Sequence, residues 1–187
     1  DGEQVLKLAA KEEFEYAEVD ELGTVVEKDY TPYHIDQVLA LKLVNRDAIA
    51  QADLKIVVDA VNSVGGVVIP ALLRALGVKE IIELNCEPTG HFAHNPEPIP
   101  ENLTQIAAKM KESRADLGIV VDPDVDRLAL ISENGEMFGE EYTLVAVADY
   151  VLKHTPGNTV SNLSSSRALK DVTELMDNNI MLLQWEK

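Results

Sequence analysis

From Asp53 onward the chain alternates short β-branched runs with longer helical patterns, and this alternation limits the possible folds more than any other feature. Leu54 to Val58 reads as a strand, Gly66 to Leu76 as a helix stopped by Gly77, and Glu80 to Leu84 as a second strand. A Pro-rich loop from Glu87 to Pro100 leads into a helix from about Glu101 to Ser113 and a strand ending at Val121. The order β-α-β-α-β predicts an α/β fold. Its expected form is a three-layer α/β/α domain with a mainly parallel mixed sheet and right-handed crossovers.

The third predicted strand runs into Asp122-Pro123-Asp124-Val125-Asp126-Arg127, which places three carboxylates within five residues. Two like charges roughly 4 Å apart repel by about 4 kcal/mol at an effective dielectric near 20, and a cation turns that cost into affinity. In an extended strand Asp122 and Asp126 would lie about 13 Å apart, too far for one ion to span. Pro123 lacks a backbone N–H and has a fixed φ, so the run is expected to leave the sheet as a loop whose side chains converge. An all-carboxylate ligand set suits a hard cation such as Mg²⁺, which keeps positions open for water and phosphate oxygens. The apolar runs 117–121 and 128–131 flank the triplet, so the loop is placed at the carboxyl end of a buried strand, where open α/β sheets bind ligands.

The same patterning continues downstream. After a strand at 128–132, Glu133-Asn134-Gly135-Glu136 reads as a turn and Glu140 to Lys153 as a helix, broken by Pro156-Gly157-Asn158. Thr159 to Leu163 then reads as a strand and Ser165 to Met176 as a helix, which starts a second, similar α/β unit that residue 187 does not complete. Upstream, Val5 to Phe14 reads as one amphipathic helix and Glu15 to Lys28 as an acidic connector; a lone helix buries too little to be a domain. The expected division is therefore residues 1–28 as the tail of a preceding domain, 29–136 as a metal-binding α/β domain, and 137–187 as an incomplete α/β unit.

Composition excludes several partners. Sixteen basic against 33 acidic residues leave a net charge of −17, which argues against nucleic acid and anionic membrane as ligands. A hydrophobic content of 46% over 187 residues supports a real core. The single cysteine, Cys86, cannot form an internal disulfide and reads as a small buried thiol at a strand end. No apolar run approaches the roughly 18 residues of a membrane span and no leader pattern is evident, so a cytoplasmic location is expected.

Three stretches carry a family resemblance. Val121-Asp122-Pro123-Asp124-Val125-Asp126-Arg127-Leu128 resembles the metal loop of the α-D-phosphohexomutases, the phosphoglucomutases and phosphomannomutases. Val58 to Gly66 (Val-Asp-Ala-Val-Asn-Ser-Val-Gly-Gly) is similar to the strand-turn-helix opening of that family's second domain, and Gly90 to Pro98 to its Pro-rich loop. The resemblance spans roughly residues 1 to 174. It implies an intramolecular phosphotransferase of the isomerase class, with four domains around a cleft. Such an enzyme moves phosphate between the 1- and 6-positions of a hexose through a bisphosphate intermediate and an enzyme phosphoserine. It further implies that Asp122, Asp124 and Asp126 bind Mg²⁺, that a phosphoserine oxygen completes the ligands, and that Arg127 lies beside the transferring phosphate. The alternative for Arg127 is an ion pair that holds the loop.

The departures from the family pattern matter as much. The family's Thr-Ala-Ser-His-Asn-Pro loop is absent, and no serine here is followed by histidine. The expectation is a fragment centred on the second domain, without the first domain, the complete third or the fourth, inactive on its own. Leu175 to Lys187 match nothing expected of the third domain. Ala93-His94-Asn95-Pro96 mimics the serine loop but fits the Pro-rich loop better. Gly135-Glu136-Met137-Phe138-Gly139-Glu140 mimics the sugar loop, Gly-Glu-x-Ser-Gly-His, but reads better as a turn entering a helix. His91 and His94 are expected to be surface or loop-packing residues. Ser164, Ser165 and Ser166 with Arg167 could meet a phosphate at a helix N-terminus, where helix capping is the simpler reading.

Two rival readings share the acidic run. A haloacid-dehalogenase-type phosphatase would use Asp122 as nucleophile and Asp124 as acid/base, but 65 residues follow Asp122 without the expected lysine and paired aspartates. A non-catalytic divalent-cation domain of EF-hand type would use Asp122, Asp124, Asp126 and Glu133, but Arg127 stands where glycine is needed and the flanks read as strands.

Overall fold

The computed structural model describes residues 1–12, 14–139, 142–163 and 165–183. Contacts divide the chain into two units, Asp1–Tyr30 and Thr31–Lys187. The first consists of helix α1 (Gly2–Lys11), which has no buried residue, and a 3₁₀ turn at Val19–Glu21 in an otherwise extended acidic stretch. The helix begins three residues earlier than the expected Val5, and Glu13 lies outside the described residues.

The second unit opens with α2 (Thr31–Leu39) and α3 (Arg46–Gln51), neither of which was read from the sequence. Asn45 caps α3 by accepting the Ala48 N–H at 3.0 Å. The β-α-β-α-β alternation follows as expected: β1 (Lys55–Asp59), α4 (Gly65–Ala75), β2 (Glu80–Leu84), α5 (Thr104–Ser113) and β3 (Leu117–Val121). Strand β4 (Leu128–Ser132) then turns back antiparallel to β3. The sheet order is β2-β1-β3-β4, with β1 parallel to both β2 and β3, which makes the sheet mixed and mainly parallel.

Alternation along the central strands builds the three layers. Val57 and Val120 point to one face, where Ile106 and Met110 of α5 close a core with Leu103, Ala115, Ala129 and Ile131. Ile56 and Val58 point to the other, where Leu73 of α4 and Val78 join Ile49 of α3, Ile69, Leu117 and Ile119. A strand covered on both faces reads as a continuous apolar run, which is why β1 and β3 are the clearest strands in the sequence. Helix α4 ends where Gly77 adopts φ 93°, as its position implied.

Beyond β4, α6 (Tyr142–His154), β5 (Thr159–Asn162), α7 (Ala168–Leu175) and β6 (Ile180–Leu183) follow. The expected start of α6 at Glu140 lies outside the described residues, as do Glu141 and Ser164. Strands β5 and β6 pair in parallel, so β5-α7-β6 is the start of a second α/β unit. Within Leu175 to Lys187, the stretch that matches nothing expected of the third domain, Ile180–Leu183 form β6, and residues 184–187 lie outside the described residues. Among the described residues no helix is long and apolar enough to cross a membrane.

Candidate metal centre

Strands β3 and β4 are paired from Leu117↔Ser132 to Val121↔Leu128, so residues 122–127 form the hairpin loop at the carboxyl end of β3. The Val125 N–H donates to the Asp122 carbonyl at 3.2 Å, and Val125 takes the left-handed region at φ 62°. That conformation costs a β-branched residue roughly 1–2 kcal/mol, so the surrounding contacts must hold it. The turn brings one carboxylate oxygen from each of Asp122, Asp124 and Asp126 within 4.8 Å of one another. Asp122 is buried while Asp124 and Asp126 are exposed, so the cluster opens to solvent on one side.

The crowding has an electrostatic signature. The Asp126 carboxyl is held above its ordinary value, first by a hydrogen bond shared with Asp122 and then by the negative charges of Asp124 and Asp122, with Arg127 opposing. Three convergent carboxylates with no softer donor fit a hard divalent cation. Strands rather than helices flank the loop, which an EF-hand would not have.

Arg127 is anchored through its backbone, whose N–H donates to Asp122 Oδ1 at 3.1 Å. Its guanidinium is more than half exposed and Nη1 lies 3.5 Å from Glu97 Oε1. Asn95, Pro96 and Glu97 face Asp122, Pro123 and Arg127 across one open cleft. The Pro-rich loop and the acidic hairpin are thus its two walls.

The Val58–Gly66 stretch braces the hairpin from below. Val61 and Asn62 are both left-handed, at φ 50° and 58°, and Ser63 Oγ donates to the Pro123 carbonyl at 2.5 Å. A Cβ on Gly65 would stand 2.5 Å from Val121 Cγ2, and one on Gly66 would stand 2.1 Å from the Cys86 carbonyl oxygen. The two glycines let α4 begin directly beneath the loop. Asp59, fully buried at the end of β1, accepts the Val61 N–H at 3.1 Å and Asn85 Nδ2 at 3.2 Å. Its other oxygen lies 3.2 Å from His94 Nε2.

The sequence reading did not assign Asp59, Ser63 or Glu97 individually, although all three fall inside the stretches that carried the resemblance. His94 is the loop-packing residue expected of it, with Asp59 as its partner, while His91 is exposed. Ser166 Oγ accepts the Ala168 N–H at 3.3 Å just before α7, but the N-cap position is Arg167 and carries no side-chain cap, so Ser165 and Ser166 do not cap the helix as expected. Met137 bridges to Ile131 and the Phe138 N–H donates to the Leu130 carbonyl, so that segment is a turn on β4 up to Gly139. The Cys86 thiol is pushed up to about 11 by burial and by the charges of Glu83 and Asp59.

Comparison with known proteins places the chain by family and fold. The family model for the phosphoglucomutase/phosphomannomutase alpha/beta/alpha domain II matches residues 32–135. A phosphoglucomutase/phosphomannomutase of Thermococcus kodakarensis is 35% identical over 172 residues, covering 91% of this chain and 37% of that protein. A phosphomannomutase/phosphoglucomutase of Pseudomonas aeruginosa is 38% identical over 139 residues, covering 73% of this chain and 28% of that protein. The crystal structure of a phosphoglucomutase/phosphomannomutase family protein from Burkholderia thailandensis matches with a TM-score of 0.77 at 26% identity, over 98% of this chain and 38% of that one. The chain therefore spans 37% of the length of the first curated relatives it matches.

Proposed function

Because this chain belongs to the phosphoglucomutase/phosphomannomutase family, we propose that its acidic hairpin is the Mg²⁺ site of an intramolecular phosphotransferase that interconverts hexose 1-phosphates and hexose 6-phosphates. Asp122, Asp124 and Asp126 hold the ion. Bound there, Mg²⁺ supplies Lewis-acid polarisation of a phosphoryl oxygen. On this reading residues 29–136 are the metal-carrying domain, residues 137–187 open a second α/β unit, and residues 1–28 lie outside both.

Arg127 is the catalytic residue of this chain. Its guanidinium fork faces the cleft from the same loop as the carboxylates, so it meets the phosphoryl group that the metal site faces and balances the negative charge developing on its oxygens. Glu97 holds the guanidinium at the mouth of the cleft until a phosphate, a stronger partner, takes its place. The phosphoserine and the bisphosphate intermediate are the course that the family resemblance supplies. Since no serine here is followed by histidine, the nucleophile comes from outside these 187 residues, and the chain on its own does not turn over.

One observation carries the reading: three carboxylates and an arginine converge on one hairpin at the carboxyl end of a parallel strand. Calorimetric titration with Mg²⁺ at low salt, comparing the native chain with Asp124→Asn, tests it. Weak binding that the substitution abolishes supports the site, and tighter Mg²⁺ binding on adding a serine-bearing first domain in trans supports its place in the reaction. Identical heats from the two chains would sink it.

A further inference from the structure

We infer that Ser63 is a positioning residue for the cation site, a brace that sets the acidic hairpin through the carbonyl of Pro123. The inference rests on the reading of that hairpin as a Mg²⁺ site. Pro123 sits between two of the three carboxylates, so the orientation of its peptide governs where Asp122 and Asp124 point. Ser63 Oγ donates to that carbonyl at 2.5 Å across 60 residues of sequence. The hydroxyl belongs to an element that has no part in the acidic cluster.

That element is held in a conformation it would not adopt alone. Val61 is fully buried and β-branched yet left-handed, and Asn62 follows it in the same region. Four hydrogen bonds keep them there. The Val61 N–H donates to Asp59 Oδ1 at 3.1 Å, the Asn62 N–H to the Asn85 carbonyl at 2.6 Å, Asn62 Nδ2 to the His91 carbonyl at 3.1 Å, and the Ser63 N–H to the Ala60 carbonyl at 2.8 Å. A turn fastened by this many bonds to β1, to the end of β2 and to the Pro-rich loop is a rigid mount. Beside it, Gly65 lies directly under Val121 and near Val125, so the mount also meets the end of β3 and the left-handed residue inside the loop. The hairpin carries left-handed Val125 and three like charges, so without this support it would be expected to relax and the carboxylates to separate.

Mg²⁺ calorimetry on the native chain, Ser63→Ala and Ser63→Thr tests the brace, with thermal unfolding as control. Ser63→Ala should weaken Mg²⁺ binding about three- to tenfold, the effect of one net hydrogen bond. Ser63→Thr, which keeps the hydroxyl, should stay within about twofold, and any fall in the melting temperature of Ser63→Ala should be no larger than one net hydrogen bond explains. A hydroxyl with a merely structural role would lower the melting temperature and leave affinity unchanged, and equal affinities for the native and alanine chains overturn the inference. If the native chain binds no Mg²⁺, the cation-site reading fails instead, and amide exchange at Val125 decides the brace by itself. Faster exchange in Ser63→Ala upholds it, and equal exchange overturns it.

Discussion

His94 Nε2 lies 3.2 Å from Asp59 Oδ2, and the other ring nitrogen lies 2.7 Å from the Asn95 carbonyl oxygen. The side chain of Asp59 is 1% exposed and that of His94 15%, so this contact ties the Pro-rich loop to the end of β1 away from water. Both walls of the cleft depend on one buried carboxylate, because Asp59 also seats the turn beneath the acidic loop.

Removing that carboxylate should therefore be costly. Asp59→Ala leaves the Val61 N–H and His94 Nε2 without their acceptor and removes one of the two acceptors of Asn85 Nδ2, and should destabilise the chain by about 3 kcal/mol. His94→Ala leaves Asp59 two of its partners and should cost less, about 1–2 kcal/mol. Urea unfolding followed by circular dichroism measures both, and equal costs would show that the carboxylate is not the hub.

Gly66 and Gly65 should differ in their tolerance of alanine. At Gly66 the added methyl meets a backbone carbonyl that cannot turn away, so the cost should reach about 3 kcal/mol; at Gly65 it meets the end of the Val121 side chain and should cost about 1–2 kcal/mol. Gly65→Ala should in addition weaken Mg²⁺ binding, since Val121 leads straight into Asp122. Unfolding and calorimetry on the two variants separate these effects.

Mg²⁺ binding should strengthen as pH rises through the window in which Asp126 ionises. Its carboxyl is raised above the ordinary 3.8, chiefly by the hydrogen bond with Asp122 and next by the charge of Asp124. The folded chain then holds more protons than the unfolded one between the two values, so stability without metal declines as pH rises through that window. Binding requires the ionised form, so affinity climbs over the same interval and levels off above it. Titrations and melting curves taken upward from the ordinary carboxylate range should show the two trends running in opposite directions.

Cys86 should be a sluggish thiol. With its ionisation pushed from 9.0 to about 11, the reactive thiolate is about a hundredfold scarcer at neutral pH than in an ordinary cysteine. Iodoacetamide should label it correspondingly slowly in the folded chain and at a normal rate in urea, as mass spectrometry would record.

Much of the central domain is legible in its residues. Glu80–Leu84 and Leu128–Ser132 coincide with their expected bounds because both are short apolar runs bordered by turn residues or charges. Strand β1 runs one residue further than expected, to Asp59, because a carboxylate that reads as a strand end is kept in the ladder by partners from two distant loops. Helix α3 has only six residues, too few for periodicity to show, although the Asn45 cap was a usable sign. Strand β6 is four apolar residues long and is defined by pairing with β5, which no local pattern announces.

By itself the sequence determined the order of elements from β1 to α7, the two-faced burial of β1 and β3, and the all-carboxylate chemistry of Asp122, Asp124 and Asp126. These follow from periodicity and side-chain chemistry, which act over a few residues. The convergence of the three carboxylates was expected from Pro123 and their spacing, but the tertiary structure alone decided that Ser63 reaches Pro123 and that Asp59 meets His94 across 35 residues. Such proximities depend on strand register and on left-handed turns at Val61, Asn62 and Val125, conformations that are unfavourable locally and persist only because contacts from elsewhere in the chain outweigh their cost.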